Sequence, residues 1–335
     1  MNARRRQQPL LRLHRAARLL GLACCCLATA AAAAAEPTVA AGAEVVSEAP
    51  QPIAEATRRT ARATAEWLAR GIDGWFGSLP FEQGGKVSDG RLELGLFKRQ
   101  DQRADVDLRF SAKFRLPNIE QRAYVFVGRD DPRNVVQDKP DATTASRQLL
   151  AARTEEPGFL AGLGLGLPND VDLRLGVSAR LQPYVQLRWQ QHWTLAPGRS
   201  VDLRETLFWT RSDRLGSTTV LSLEQLLSPN LALRWLNTAT ITQTTRNVEW
   251  SSTLGAYRAL PGLRLVSLEL LAAGTGTQGA GVGRSDLGVL LHWEQPLYKD
   301  WLRGELVGGH FWPRPDAVSP RGRAWALGGN VKMRF

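Results

Sequence analysis

Three histidines lie beyond residue 36, His192, His292 and His310, and they are the first place to look for acid–base or nucleophilic chemistry. A hydrolytic site needs an imidazole within hydrogen-bond reach of a Ser or Thr hydroxyl, where substrate can lie. The nearest approach to that is His192-Trp193-Thr194, whose two polar groups share one face of an extended segment. His292 reads as a neutral hydrogen-bonding residue on an inward face, and His310, beside Phe311 and Trp312, as a residue at the end of an extended segment. Catalytic residues are therefore expected to be none, with a lipid hydrolase using His310 as the minor alternative. The stretch Gly274-Thr275-Gly276-Thr277-Gln278-Gly279 has the composition of a phosphate-binding loop, but no helical period follows it to present amides, so a surface loop is expected. Metal spacings and cofactor motifs are not found, and the expected cofactors are none.

Charge is the commoner chemistry here. The 335 residues carry 43 Lys and Arg against 32 Asp and Glu, a formal net charge of +11. Six of the arginines precede the run LLGLACCCLA at residues 19–28, and an alanine tract then leads to Glu36-Pro37. A basic segment, an apolar segment and small residues at Ala33-Ala34-Ala35 are the three parts of a secretory signal, so residues 1–35 are expected to be removed on Sec-type export, leaving Glu36 first. The rival is a lipoprotein acylated at Cys24; against it stand Gly21, three positions earlier, and the short apolar run ahead. Removal leaves +5, because the segment holds no acid, and takes all three cysteines with it. The remaining basic residues are interspersed with acids, which argues against nucleic acid as a partner.

The elements that must position these charges follow from periodicity. Residues 36–50 are an aperiodic linker. Within 51–77, Ala61, Ala65, Leu68, Ile72, Trp75 and Phe76 recur at helical spacing with Arg58, Arg59, Arg62, Glu66, Arg70 and Asp73 between them, an amphipathic helix suited to a membrane surface, a plug, a periplasmic cap or a neighbouring protein face. From residue 88 to 335 the period is 2. Val106, Leu108, Phe110, Ala112, Phe114 and Leu116, for example, alternate with Asp105, Asp107, Arg109, Ser111, Lys113 and Arg115. Such runs last about ten residues or more, the length that crosses a bilayer as a tilted strand, where soluble strands average ~5–6. Fourteen segments qualify: 90–99, 104–116, 121–129, 158–167, 170–181, 183–194, 200–211, 217–227, 230–243, 247–259, 263–274, 285–296, 299–311 and 323–335. The expected fold is all-β, a transmembrane antiparallel β-barrel of about 14 strands, preceded by the helix. A merger at Leu181-Gln182-Pro183 with one compensating error would make it 12.

One set of connections is short and turn-like, as at Pro168-Asn169, Ala196-Pro197-Gly198 and Pro261-Gly262, and the other holds the long ones, 130–157, 275–284 and 313–322. Short inner turns alternating with long outer loops is the pattern of a membrane barrel. Phe97, Tyr124, Trp193, Trp209, Trp250, Trp301, Trp312 and Trp325 lie near strand ends, where interfacial girdles belong, whereas Trp189, Trp235 and Trp293 lie further inside. Parity turns Arg109, Lys113, Arg115, Arg174, Arg180, Arg188, Arg204, Arg234, Arg303 and Lys332 to the lumen with Asp105, Asp107, Asp172, Asp202, Glu224, Glu249, Glu294 and Glu305. A mixed, slightly basic lumen would pass small polar solutes with a preference for anions. The same charges would equally make a ladder of salt bridges that closes it.

The final WALGGNVKMRF sets Val331, Met333 and Phe335 on one face and Lys332 and Arg334 on the other. A last strand of this kind ending in Phe resembles the C-terminal assembly signal of Gram-negative outer-membrane β-barrel proteins. The resemblance implies an outer-membrane location, recognition by the barrel-assembly machinery and contact with outer-membrane lipids. The stretch WLARGIDGWFGSLPFEQGGKVSDGRLELGLF is similar to a block in exported proteins of such bacteria, and it implies no activity. Nothing here resembles the His-x-Ser arrangement of outer-membrane lipid hydrolases. The expected function is a channel or transporter for small polar solutes. The alternative is a closed structural or binding barrel that offers its loops, and the helix at 53–76, to a periplasmic partner.

Overall fold

The computed structural model describes residues 52–73, 86–115, 122–131, 135–139, 158–178, 181–277 and 281–335. The expected signal and linker, Trp75, Phe76 and Arg180 lie outside the described residues. Helix α1 (Pro52–Asp73) precedes fourteen strands: β1 (Lys86–Arg99), β2 (Asp105–Arg115), β3 (Ala123–Asp130), β4 (Gly158–Leu167), β5 (Val171–Ser178), β6 (Gln182–Ala196), β7 (Arg199–Thr210), β8 (Arg214–Ser228), β9 (Leu231–Thr242), β10 (Asn247–Leu260), β11 (Arg264–Thr277), β12 (Gly281–Tyr298), β13 (Leu302–Arg314) and β14 (Ala324–Arg334).

Each strand pairs antiparallel with its sequence neighbours, and β1 closes the barrel on β14, from Arg91 opposite Arg334 to Arg99 opposite Ala326. Closure leaves no edge strand to aggregate. The count is fourteen: β5 and β6 do not merge but pair antiparallel as far as Ser178 opposite Gln182, and Leu181, just before β6, takes a left-handed φ of 56°. Of the glycine-rich stretch, Gly274 to Thr277 are strand rather than the loop expected, while Gln278 and Gly279 lie outside the described residues. β11 continues to Thr277 and β12 starts at Gly281, since β10 on one side and β12 on the other offer backbone partners as far as Thr277. Phe335 lies at one rim, the near rim, and the Trp325 end of β14 at the other, the far rim.

Alternation sends one set of side chains outward and the other into the lumen. Trp189, Trp193, Trp209, Trp235, Trp293 and Trp325 all point outward and are 37–69% exposed, so the three interior tryptophans belong to the outer surface too. His310 faces outward at the far rim between Trp312 and Trp325, with ring centroids 4.6 and 4.4 Å away. Three of the aromatic residues expected in the girdles are elsewhere. Phe97 and Tyr124 point inward, and Trp301, in the β12–β13 turn, is buried. In Ala123–Val127 both faces are apolar, so local pattern carries no parity signal there.

The inward aromatic residues explain the glycines of β4, GFLAGLGLGL. Gly164 faces the lumen beside Tyr124, and a Cβ placed on it would come within 2.1 Å of the phenol ring; Gly162 stands in the same relation to Phe126. The missing side chains let rings from β3 lie flat on the barrel wall, covering the exposed backbone of a glycine strand.

Helix α1 crosses the outside of the near rim. Its Ala54 and Ala61 pack against Tyr298, Trp301, Met333, Leu92, Leu302 and Phe335. Further along, Ala65 is fully buried against Ala112, Phe114, Val125 and Val127, all outward residues of β2 and β3. Alanines on the inner stripe let the helix lie close to the wall. The Arg58 guanidinium sits 4.9 Å from the Trp301 ring centroid, and Lys299 donates to Glu55 at 2.9 Å. That exposed contact holds the Glu55 carboxyl below its usual range and raises the Lys299 ammonium. Of the options for this helix, packing on a protein face is the one observed, and it covers Met333 while Val331 remains exposed. Replacing Ala65 with Asp buries an unpaired carboxylate beside Phe114, at a penalty of several kcal/mol. Trypsin is then expected to cut at Arg58, Arg59 and Arg62 at least ten times faster, with the barrel still closed by heat-modifiable migration.

Candidate lumen constriction

After β3 the chain turns into the lumen. Val135 and Val136 pack there against Leu160, Phe126, Tyr184 and Phe208. The Gln186 amide, buried on β6, donates to the carbonyls of Val135 and Val136 at 3.3 and 3.0 Å. Asp138, at φ 50°, accepts a hydrogen bond from the Thr206 hydroxyl at 3.0 Å and pairs with Arg204 at 3.2 Å and Arg188 at 3.7 Å. Arg204 also donates to the Asp138 carbonyl at 3.0 Å. Lys139 reaches Glu249 on β10 at 2.7 Å, and Gln137 donates to Asp213 beyond β7 at 3.3 Å. Residues 135–139 are therefore strapped to β6, β7 and β10 across the interior.

Beneath this strap the wall is basic. Asp172 on β5 pairs with Arg174 at 3.1 Å and Arg188 at 2.9 Å, and accepts the Tyr124 hydroxyl at 2.7 Å. Tyr124 in turn accepts from Arg174 Nε at 2.8 Å. The Lys113 ammonium lies 5.8 Å from the Tyr124 ring centroid. On this wall, leaving aside the Lys139–Glu249 pair and Asp213 on the other sides of the strap, four bases, Lys113, Arg174, Arg188 and Arg204, thus face two acids, Asp138 and Asp172. The three arginines keep 13–23% of their side-chain surface exposed. A cavity of about 840 Å³ opens toward the near rim, lined by Arg115, Arg122, Tyr124, Asp172, Arg188 and His192 among others. A second, of about 210 Å³, lies beside Arg109, Lys113, Phe126, Val135, Leu160 and Arg174.

The opposite wall is packed. His292, buried on β12, contacts Glu305 at 2.9 Å and lies 3.7 Å from Glu269. Asn330 donates to Glu305 at 2.9 Å, and Lys332 bridges Glu305 at 2.8 Å and Glu294 at 3.1 Å. Arg303 pairs with Glu294 at 2.5 Å. Toward the far rim an inward apolar cluster of Phe97, Leu271, Leu290, Val307 and Phe311 fills the space, and Arg99 pairs with Asp286 at 2.5 Å beside it.

All the lumen candidates named from parity that lie in described strands point inward. The fold gathers Lys113, Arg174, Arg188 and Arg204 on one wall and Glu294, Arg303 and Glu305 on the other, with Arg109 beside Asp107 and Asp130, and Glu249 taken by Lys139. Arg234 and Glu224 pair at 3.2 Å near the near rim, away from the strap. Asp138 and Lys139, which the sequence pattern missed, sit in an aperiodic segment; only the length of the β3–β4 connection marks it, since connections this long are uncommon without a role.

His192 has Asp202 at 2.8 Å from Nδ1 and the Thr194 hydroxyl at 3.5 Å from Nε2. The order acid, imidazole, hydroxyl is that of a hydrolytic triad, but 3.5 Å exceeds the ~2.6–3.2 Å of an activated hydroxyl. Both residues also pair with β7, at Asp202 and Ser200, which commits the local backbone to the sheet. The trio is a hydrogen-bonded network at the mouth of the larger cavity.

No family model matches the chain, and no curated protein matches it. Among solved structures, it is similar to the KdgM porin at 9% identity and a TM-score of 0.37, covering 73% of this chain and 99% of that one. It is also similar to the outer membrane channel DcaP of Acinetobacter baumannii at 9% and 0.45, covering 76% and 98%. A third is OmpT of Vibrio cholerae at 10% and 0.44, covering 75% and 98%. Likenesses this remote carry no argument about activity; the barrel rests on its own strand pairing.

Proposed function

We propose that the protein is an outer-membrane channel of narrow bore that admits small polar solutes, with a preference for anions. The observation that carries this is the partly exposed arginine wall of Arg174, Arg188 and Arg204 beside Asp172 and the strap residue Asp138, with Arg188 lining the larger cavity. Fixed positive charge at a constriction with protein walls selects by sign, because screening there is poorer than in open solution. A solute carrying a carboxylate or phosphate would pass along the arginine side, exchanging Asp172 and Asp138 as partners at each step.

In this reading the near rim is periplasmic, the outward tryptophans mark the two interfaces, and α1 lies at headgroup level with Arg59 and Arg62 exposed. Export through a cleaved signal and insertion by the barrel-assembly machinery belong to the same reading. The test is a planar-bilayer recording of the purified protein with a salt gradient. Discrete openings with an anion-selective reversal potential are expected; a folded barrel that never conducts sinks the proposal.

A second reading is favoured by the packed wall. The apolar cluster around Phe311 and the network around Glu305 fill that side of the lumen. If the remaining side is also shut, the barrel is a structural or binding element that acts through its far-rim loops and α1.

A further inference from the structure

The outward surface is apolar around most of the ring at mid-strand, where Leu94, Leu108, Leu163, Leu270, Leu291 and Leu306 stand exposed. Between β7 and β10 polar groups interrupt that surface, beside the exposed Leu207, Trp235, Ile241 and Leu254. The outward positions there hold Glu205 on β7, Ser217 and Thr219 on β8, Asn237 on β9 and Ser252 on β10. Thr219 stands opposite Glu205, and Asn237 opposite Ser252. The Glu205 carboxylate accepts hydrogen bonds from the Ser217 hydroxyl and, at 2.6 Å, from the Thr219 hydroxyl. Among the described residues no cation pairs with it.

Depth follows from the girdles. Trp193, level with Val201, marks the near side, and Trp209 marks the far side of the same strand. Glu205 is midway between residues 201 and 209, ~13 Å along the strand from either level at ~3.3 Å per residue. A carboxylate with two hydroxyl donors at that depth would have neither water nor a counter-ion if acyl chains covered it.

We propose that the β7–β10 face is a two-fold contact with a second copy of this chain. This rests on the membrane reading above, but not on conduction. The stripe is self-complementary: hydroxyls and a carboxamide both donate and accept, so across a two-fold axis donors meet acceptors, and Glu205 gains the partner copy's hydroxyls or amide as further donors. One carboxylate that already holds two hydroxyl donors does not demand a basic partner of another kind. The small exposed side chain of Ala239, between Thr219 and Trp250, lets two walls approach. The opposite side of the ring, from β13 through β14 to β3, is covered near the rim by α1, so association is directed to the face the helix leaves free.

The test uses outer-membrane vesicles from cells expressing Thr219→Cys or Asn237→Cys, with Leu306→Cys on β13 as control, treated with a short bismaleimide. A two-chain adduct is expected from a stripe position at least ten times more abundantly than from Leu306→Cys. Adding Glu205→Leu to the same chain should reduce it about ten-fold while leaving heat-modifiable folding unchanged. Light-scattering mass of the purified barrel in mild detergent should correspond to two chains. The proposal is overturned by membrane-recovered protein that gives no excess at the stripe, by an adduct to a polypeptide of different mass, or by a three-chain particle. Protein that does not fractionate with the outer membrane would instead remove the membrane reading, and the proposal with it.

Discussion

Replacing both Arg188 and Arg204 with Glu is expected to convert an anion-preferring conductance into a cation-preferring one. On the wall of Lys113, Arg174, Arg188 and Arg204, four bases now face Asp138 and Asp172; after the double change two bases face four acids, so the balance of that wall turns from +2 to −2. At a constriction with protein walls, a reversal of this size is expected to move the anion-to-cation permeability ratio by at least ten-fold, which is about 1.4 kcal/mol of relative barrier. Arg234→Glu provides the control. It pairs with Glu224 near the near rim and is 41% exposed, so its reversal should change the ratio little. The measurement is the reversal potential across a bilayer under a salt gradient. If the lumen is closed instead, the same double change leaves Asp138 and Asp172 facing new carboxylates in a dry interior. The outcome is then lost stability, of the ~3–5 kcal/mol that breaking a buried pair costs, with no current in either protein. That pair of results would retire the channel.

The second large effect is expected at the C terminus. Phe335→Asp should reduce the yield of folded, heat-modifiable barrel at least ten-fold, whereas Arg334→Gln should leave it close to the parent. The Phe335 ring stacks on Phe110 with centroids 6.0 Å apart and planes 15° apart, and it occupies the space over Gly90, where a Cβ would meet it at 2.5 Å. Its amide donates to the Gly90 carbonyl at 3.1 Å, locking the end of the chain onto β1. Phe335 is partly buried, so its truncation costs less than the ~3–5 kcal/mol of a fully buried Phe, and an unpaired carboxylate in the same apolar nest adds to that. Arg334 points to the lumen opposite Arg91 and packs into no such nest. Equal yields of folded barrel from the two variants would show that the β1–β14 closure does not depend on this ring. Deletion of Phe335 should behave like Phe335→Asp, because the amide anchor to Gly90 goes with it.

Much of the barrel was legible in the sequence because its information is local. Alternation with period 2 is a property of each strand by itself, so Lys113, Arg174, Arg188, Arg204 and Glu305 could be assigned to the lumen without knowing any neighbour. The number of strands followed in the same way from run lengths and turn residues. Where a segment is apolar on both faces, as at Ala123–Val127, the pattern is silent: α1 covers Val125 and Val127 from outside, while the loop after β3 covers Phe126 from inside. Which face each residue took depended on partners far away in the chain.

Pairing was decided by the tertiary structure alone. Asp138 meets Arg204 and Lys139 meets Glu249 across 66 and 110 residues, at positions set by barrel closure and by the strap's path through the lumen. No periodicity records such a contact. The same holds for the covering of Met333 by α1 and for the clustering of Glu205 with Ser217 and Thr219, which only the register of β7 on β8 brings together. What the sequence by itself determined was the side of the wall on which each charge stands. Closure, which fixes every strand's height and neighbour at once, decided which charges face one another across the lumen and which are left on the outside.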